Sequence, residues 1–299
     1  MKHLFKATSC LILLVFARNT VNAQHMPVKK DSATSKKSHW DLSLTYLSDN
    51  VYLGRRDSTS VPYITPAIAY HDKSGFFISG SISYLPGADN NRIDVATIEG
   101  GYSYASDNLN VEISAGKDFY SDQSFAVNSA ISGRVASYFS YDFGFIQPSL
   151  ELGADFSGSV DIGTGFGLEH SFTVIENKLE INPAVKVNAG MQNFYNNYYK
   201  SKRYNSSRSK NKNSGSTVSG SIADASRFQI MDYECSSAVE YTLHKNIKIN
   251  FTPVFAIPVN ESVITLSTKP STGGSGSTST YRENLSNIFY WSVGVNITL

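Results

Sequence analysis

The last nine residues of the chain alternate between apolar and polar side chains without a break. Trp291, Val293, Val295, Ile297 and Leu299 are apolar, and the residues between them are serine, glycine, asparagine and threonine. Because successive side chains of a β-strand point to opposite faces, this period of two predicts a strand with one apolar face. An apolar strand with an unpaired edge invites aggregation, so the pattern favours a sheet without open edges.

The same alternation recurs along the chain, interrupted by turn residues, and predicts twelve strands. They are residues 40–53, 62–71, 76–85, 93–104, 109–119, 126–141, 146–156, 160–172, 179–192, 228–243, 247–257 and 289–299. Short turns follow every second strand, and two of the remaining connections, residues 193–227 and 258–286, are very long. An even strand number with tight turns at one end and long polar loops at the other is typical of an outer-membrane barrel. We therefore predict an all-β fold, a single transmembrane antiparallel up-and-down β-barrel of about 12 strands formed by residues 40–299.

The first residues have the features of a secretory signal peptide. Lys2 and Lys6 precede a short apolar run from Cys10 to Phe16, and small residues form a cleavage site before Gln24. We predict a signal peptide at residues 1–23 and a periplasmic tail at residues 24–39. The expected location is the outer membrane of a Gram-negative bacterium. The alternative architecture is a soluble β-sandwich, which would have fewer strands and fewer aromatic residues at the strand ends.

Composition excludes several classes of function. Beyond the predicted signal peptide the chain contains only Cys235, which excludes an internal disulfide and a multi-cysteine metal site. A formal net charge of +1 gives no reason to expect nucleic acid as a partner. The loops contain no calcium-binding spacing of the EF-hand type. We therefore predict no metal, no cofactor and no nucleic-acid partner.

The polar faces of the predicted strands carry many carboxylates and few bases. If the apolar faces meet lipid, these polar faces line the interior. The carboxylates are Asp41, Glu99, Glu112, Asp118, Glu151, Asp155, Asp161, Glu169, Glu180, Asp232, Glu234 and Glu240, and the bases are Arg134, Lys186 and Lys248. Other basic residues lie in the predicted tail and outer loops, including Arg55 and Arg56. The near-neutral total charge therefore conceals an acidic interior and a basic outer surface.

An acidic interior indicates a passage that favours cations, because acidic side chains select cations in pores. We predict a small passive channel, or porin, with six pore-lining residues near mid-barrel. These are Glu99, Glu112, Arg134, Glu151, Lys186 and Glu234. A barrel of this size lies between the ~8 strands that side chains fill and the ~16 that hold an open channel. A structural or adhesion-type barrel with a plugged lumen is therefore the alternative.

The third function considered is that of an outer-membrane enzyme that modifies lipids. Such an enzyme needs a serine and a histidine on one outward face. His170 has only Leu168 and Phe172 as neighbours on its own face, and His71 and His244 lie at turns without a matched serine in the same strand. We therefore predict no catalytic residues and no enzyme.

The expected partners follow from the predicted location. They are outer-membrane lipids and lipopolysaccharide, and the outer-membrane assembly machinery, which reads a C-terminal strand that ends on a bulky apolar residue. Phe is the usual last residue in that signal, and Leu299 takes its place here. The sequence does not indicate an oligomeric state.

One stretch of the chain resembles a known family. Residues 48–84, SDNVYLGRRDSTSVPYITPAIAYHDKSGFFISGSISY, are similar to the first hairpin of TorF-type porins. Those porins carry an S-D-Y-x-F-R-G strand, a P-x-x-x-x-x-x-Y return strand and an S-G-F-Y strand. Here Leu53, Gly54 and Arg55 replace F-R-G, and Asn50 precedes Val51. The resemblance implies a porin and brings no catalytic residues.

Overall fold

The computed structural model describes residues 37–87, 91–200, 216–270 and 275–299. The predicted signal peptide, nearly all of the predicted tail and residues 202–212 of the longest loop lie outside the described residues. The elements are β1 (His39–Leu47), β2 (Tyr63–His71), β3 (Phe76–Leu85), β4 (Arg92–Ala105), β5 (Leu109–Tyr120), β6 (Gly133–Tyr141), β7 (Gln147–Phe156), β8 (Val160–Glu169), β9 (Phe172–Ile175), β10 (Leu179–Gly190), α1 (Asn193–Tyr198), β11 (Ser216–Ile222), β12 (Gln229–His244), β13 (Ile247–Pro258), β14 (Val263–Pro270), β15 (Ser277–Arg282) and β16 (Ile288–Thr298). None of the described residues belongs to a helix with the length and hydropathy of a membrane span.

Twelve of these strands form a closed antiparallel barrel. The order follows the chain from β1 to β8, continues through β10, β12, β13 and β16, and closes where β16 pairs with β1. At the closure, Asp41 lies opposite Thr298 and Leu47 opposite Ser292. The closed ladder satisfies the backbone of the wall without an open edge, as hydrocarbon requires. The predicted barrel of about 12 strands is confirmed.

The wall carries its apolar residues on the outside, the reverse of a soluble protein. Leu44, Ile98, Ile113, Ile162 and Val185 lie in the middle of their strands and are at least half exposed. The residues beside them in sequence point inward, where acidic and hydroxyl side chains are buried. A continuous belt of exposed apolar side chains marks a surface that meets lipid rather than water. The molecule is therefore a transmembrane barrel of the outer-membrane type.

Exposed aromatic side chains flank the apolar belt at both ends. At the end with the short turns they are Trp40, Phe76, Tyr104, Tyr141, Phe172 and Tyr241, and at the opposite end Tyr84, Phe119 and Phe156. Trp40 also packs against Tyr70, with ring centroids 4.9 Å apart. Aromatic rings prefer the two interfaces of a membrane, so these girdles mark its edges. By the rule for such barrels, the short turns face the periplasm and the long loops face outward.

Three predicted strands differ from the structure by three or more residues at one end. The first ends at Leu47 rather than at residue 53, because Asp49 turns back and accepts the N–H of Val61 at 2.8 Å. The sixth begins at Gly133, and the preceding residues 126–131 fold into the barrel instead. The eighth divides after Glu169 into β8 and β9, and β9 pairs only with β10.

The outer connections are L1 (residues 48–62), L2 (86–91), L3 (121–132), L4 (157–159), L5 (191–228) and L6 (259–287). L5 contains α1 and β11, whereas L6 contains β14 and β15. Strands β11, β14 and β15 form a separate three-stranded sheet that joins the two longest loops. The alternation pattern did not predict these elements.

Candidate functional site: an acidic interior beneath a loop plug

The six side chains predicted to line a pore all face the barrel interior. Glu99, Glu112 and Glu234 are buried, and Arg134, Glu151 and Lys186 are half-buried. We divide them by strand into a first group on β4, β5 and β6 and a second group on β7, β10 and β12. Their role in a conducting path stays a prediction.

Lys186 connects two strands of the second group. Its Nζ lies 2.7 Å from Oε2 of Glu151, although β8 runs between their strands. The lysine passes over Gly165 of β8, where a Cβ would come within 2.6 Å of the lysine Cε. A Cβ at this position would displace the lysine, so the glycine leaves room for the close approach. Glu234 lies directly opposite Lys186 on the other side, in β12.

Arg134 occupies the corresponding place in the first group. Its Nη2 lies 3.4 Å from Asp118 on one neighbouring strand, and its Nε lies 3.9 Å from Asp155 on the other. Asp118 also accepts a hydrogen bond of 2.7 Å from Thr97. These contacts offset the cost of burying the charges.

Carboxylates outnumber bases along the described part of the interior. Near the periplasmic end, Lys248 Nζ pairs with Glu240 at 3.1 Å. Arg55 and Arg92 add to the inward bases, and Asp94 adds to the carboxylates that the sequence placed inside. From this excess we expect a negative potential in the interior, which low-dielectric walls would concentrate.

The opposite wall carries short, uncharged side chains. The inward residues of β1, β2, β3 and β16 in the middle of the barrel are Ser43, Thr45, Thr65, Ala67, Ser79, Ser81, Ser83 and Gly294. Long charged side chains thus project from one side toward a wall of small hydroxyl and methyl groups. Among the charged strands lies a cavity of about 60 Å³, lined by Tyr138, Glu151, Lys186, Glu234 and Thr252 among others.

The outer end of the barrel is filled by apolar side chains. One cluster comprises Leu47, Val51, Val61, Tyr63, Leu85, Val95, Val254, Ala256, Ile288 and Tyr290, contributed by strand ends and L1. The second comprises Tyr52, Val127, Ile131, Phe194, Tyr195, Tyr198, Tyr199, Ile222, Ala225 and Ile264, contributed almost entirely by loops. We call the inward-folded parts of L1, L3, L5 and L6 the loop plug. Burial of these side chains supplies its cohesion.

Wall carboxylates attach the plug to the barrel. Asp161 at the start of β8 accepts the backbone N–H groups of Asn193 and Phe194, at 2.6 and 2.8 Å, and so fixes the first turn of α1. Asp94 of β4 accepts the hydroxyl of Ser124 in L3 at 2.6 Å. Charge-assisted hydrogen bonds of this kind are stronger than neutral ones.

Tyrosine hydroxyls add further contacts between plug, wall and loops. Tyr52 donates to Asp155 of the wall, and Tyr198 of α1 donates to Asp57 of L1. Burial, reinforced by the Asp155 carboxylate, raises the pKa of Tyr52 well above its usual value. Burial and the carboxylate of Glu283 likewise raise the pKa of Tyr195, which donates to Glu283 at 2.8 Å. Both phenols therefore stay protonated and act as donors.

Arg55 is fully buried within the plug, which corrects its expected place on a basic outer surface. Its Nη1 donates to the carbonyls of Leu53 and Met231 at 3.1 and 2.7 Å. Its Nη2 donates to those of Val259 and Asn260, both at 3.0 Å. The guanidinium thus holds L1 against the start of β12 and the start of L6. Arg56 beside it remains partly exposed and pairs with Asp49 at 2.9 Å.

A cavity of about 280 Å³ opens on the outer face of the plug. L1, α1 and L6 form its walls. Its lining includes Arg56, Ser58, Tyr195, Tyr281, Asn284 and Ser286.

Sequence reasoning missed Arg55, Asp94 and the tyrosines of α1. Arg55 is a charge in a loop, which normally indicates a solvated position. Asp94 falls at a bulge between β3 and β4, so simple alternation does not give its facing. The run of tyrosine and asparagine in residues 195–199 was the one available signal, because several aromatic residues in a polar loop indicate burial or an interface.

The histidines considered for catalysis lie in separate places. His170 packs against Phe172 with ring centroids 4.4 Å apart, and His244 is exposed at the end of β12. His71 stacks on His39 at the periplasmic end, with centroids 5.2 Å apart. Within the described residues, no group of three or more His, Cys, Asp or Glu side chains has the arrangement to hold a metal ion.

Comparison with known proteins gives matches among solved structures. No protein-family model and no curated protein matches the chain, so the resemblance of residues 48–84 to TorF-type porins stays a prediction. The NanC porin is 13% identical over 87% of this chain and 100% of its own, with a TM-score of 0.44. The KdgM porin in complex with disordered oligogalacturonate is 10% identical over 86% of this chain and 98% of its own, with a TM-score of 0.46. Omp33 of Acinetobacter baumannii is 8% identical over 89% of this chain and 99% of its own, with a TM-score of 0.35. These likenesses concern the fold, which the strand pairing establishes independently.

Proposed function

We propose that the protein is a small passive channel of the outer membrane, with an interior that favours cations and an outer mouth narrowed by the loop plug. The observation that carries this proposal is the polar interior. A barrel that served only as a scaffold has no need to bury so many carboxylates, since each costs desolvation energy. A water-filled path along the wall of small residues would keep these groups hydrated.

The electrostatics support a preference for cations. Carboxylates of the wall face the interior from several strands, and Arg134 and Lys186 compensate only some of them. A charge ~15 Å away in a medium with an effective dielectric constant of ~20 contributes about 1 kcal/mol to a permeating ion. Summed over the carboxylates that exceed the bases, this favours cations over anions at low salt.

The test is the reversal potential of the full-length protein in planar bilayers under a salt gradient. We expect cation selectivity that weakens several-fold in the triple variant Glu99→Gln, Glu112→Gln, Glu151→Gln, and that decreases as salt screens the charges. The matched control replaces three exposed carboxylates outside the wall, Asp107→Asn, Glu176→Gln and Glu261→Gln, and should retain the preference. A clear preference for anions in the unmodified protein would refute the proposal.

The second candidate function is that of a plugged structural or adhesion-type barrel. Two buried apolar clusters across the outer end favour it. It predicts no conductance in the same bilayers, even though the protein inserts and migrates as a folded barrel. A lipid-modifying enzyme would instead be recognised by turnover of phospholipid or lipid A in the same preparation.

A further inference from the structure

We infer that the 280 Å³ cavity on the outer face of the plug is a binding site for a neutral, hydroxyl-rich solute the size of a monosaccharide. The inference does not depend on conduction, because an open channel and a plugged barrel would both present this cavity to the outside. It rests on the enclosure, the chemistry of the lining, the balance of its charges and its size.

Three separate segments enclose the cavity. L1 contributes residues 54–58, and α1 and its C-cap contribute Tyr195 and Tyr199. L6 contributes Tyr281 and residues 283–286. Contacts among these segments fix its shape: Tyr195 donates to Glu283 at 2.8 Å, and Ser262 N donates to the same carboxylate at 3.3 Å. The walls are therefore held by hydrogen bonds of the protein, and the cavity is preformed.

The lining combines an apolar floor with a polar opening. Pro258, Ile264 and Ile288 supply aliphatic surface, whereas the half-exposed ring of Tyr281 stands at the side. Asn284 and Ser286, both exposed, add an amide and a hydroxyl at the mouth. Sugars present C–H faces and hydroxyl groups together. A tyrosine ring beside amide and hydroxyl groups complements both surfaces.

Charged groups in the lining are already compensated within the protein. Asp57 accepts the hydroxyls of Tyr198 and Ser58. Glu283 accepts hydrogen bonds from Tyr195 and from the N–H of Ser262, and it lies 3.8 Å from Arg55 Nε. Arg56 pairs with Asp49 at 2.9 Å. Each of these charges already has a partner within the protein, so a charged ligand would gain little net attraction to offset the cost of leaving water, and the cavity favours a neutral ligand.

The volume limits the size of the ligand. At ~30 Å³ for each water molecule of the liquid, the cavity corresponds to about nine waters. A hexose displaces a comparable volume, whereas a longer oligosaccharide would extend out of the mouth.

The experiment titrates folded, full-length protein in detergent with D-glucose, D-galactose and D-mannose separately. Binding of each sugar is measured by calorimetry or saturation-transfer NMR. We expect at least one hexose to bind, with Kd of about 1 mM, as suits a small site with few hydrogen bonds. Glucosamine and glucuronate, which add a positive and a negative charge to the same ring, should bind at least roughly tenfold more weakly.

Variants locate the binding. Asn284→Ala should weaken it roughly fivefold through loss of side-chain hydrogen bonds, and Ser286→Trp should abolish it by filling the cavity. The matched control Asn287→Ala changes an exposed asparagine outside the lining and should bind as the unmodified protein does. Folding of each variant is checked by its mobility on unheated gels.

Three results would overturn the inference. The first is that none of the hexoses binds at about 10 mM, ten times the expected Kd. The second is that Ser286→Trp binds as well as the unmodified protein, which would place the sugar elsewhere. The third is that the charged analogues bind as tightly as the neutral ones. None of these outcomes bears on the ion selectivity measured in bilayers. The sugar site and the channel function can therefore each be refuted without the other.

Discussion

Arg55 donates hydrogen bonds to four backbone carbonyls that belong to L1, β12 and L6. A planar guanidinium can serve four acceptors at once, whereas an ammonium has three donors on a single atom and cannot span them. The side chain therefore fixes three segments in one arrangement, and its charge is compensated chiefly by carbonyl dipoles. Its neighbour Arg56 has the same chemistry but is partly exposed, with a single carboxylate partner.

At the residue scale we predict that Arg55→Lys loosens the plug, while Arg56→Lys does not. Breaking a buried charged network costs about 3 kcal/mol or more, so amide protection at residues 259–262 should fall roughly 100-fold. Hydrogen exchange measured by mass spectrometry on the folded protein checks this. Equal protection in the two variants would show that Arg55 is not what holds L6.

The helix α1 forms without a favourable sequence of its own. Its six residues, NFYNNY, have modest helix propensity, and it has no side-chain cap from its own N-cap residue. Asp161 of the wall takes the place of a cap and accepts the first two N–H groups. The buried rings of Phe194 and Tyr198 then hold the helix in the barrel mouth. Tertiary contacts, rather than propensity, therefore determine this element.

At the element scale we predict that Asp161→Asn releases α1. In asparagine one carboxylate oxygen becomes an NH₂ group, which is a donor and cannot accept the N–H that faces it. The loss of charge-assisted bonds costs about 1.5–3 kcal/mol. Chymotrypsin should then cut at the aromatic residues of α1 roughly tenfold or more faster, in a barrel that stays folded. The control Asp41→Asn alters another buried wall carboxylate, at the periplasmic end, and should leave cleavage of α1 unchanged.

The alternation of side chains predicted the twelve strands of the barrel and most of the facing of the wall, but it misplaced one end of three strands and missed the facing of Asp94 at a bulge. Glu99 is an example. It lies in a regular strand, and the outer belt remains apolar only if the Glu99 side chain points inward. The plug has no such period. Val127, Ile131 and the tyrosines of α1 are buried because segments distant in sequence meet at the barrel mouth. A local pattern contains no information about that meeting, and for the same reason the outer cavity could not be predicted.

At the scale of the whole molecule, the girdles and loops define an orientation that intact cells can test. We predict that trypsin added outside cuts within residues 202–212, which contain five basic residues in the longest outer loop, Lys202, Arg203, Arg208, Lys210 and Lys212. Lys73, Lys178 and Lys245 lie exposed in the short turns and should be cut only after the outer membrane is permeabilised. Mass spectrometry of the released peptides distinguishes the two sets. The opposite order of cleavage would invert the topology.

The pairing of β1 with β16 has a consequence for biosynthesis. Asp41 meets Thr298, so the contact that closes the cylinder joins residues almost at the two limits of the described chain. Loop closure over such a separation is slow, and it cannot begin on the ribosome before β16 has been translated. Until then β1 has no partner on one side, and the lipid-facing side chains of the strands already made remain in water. A barrel closed in water would expose its apolar belt, so we expect the chain to reach the membrane unclosed and to need a holding chaperone on the way.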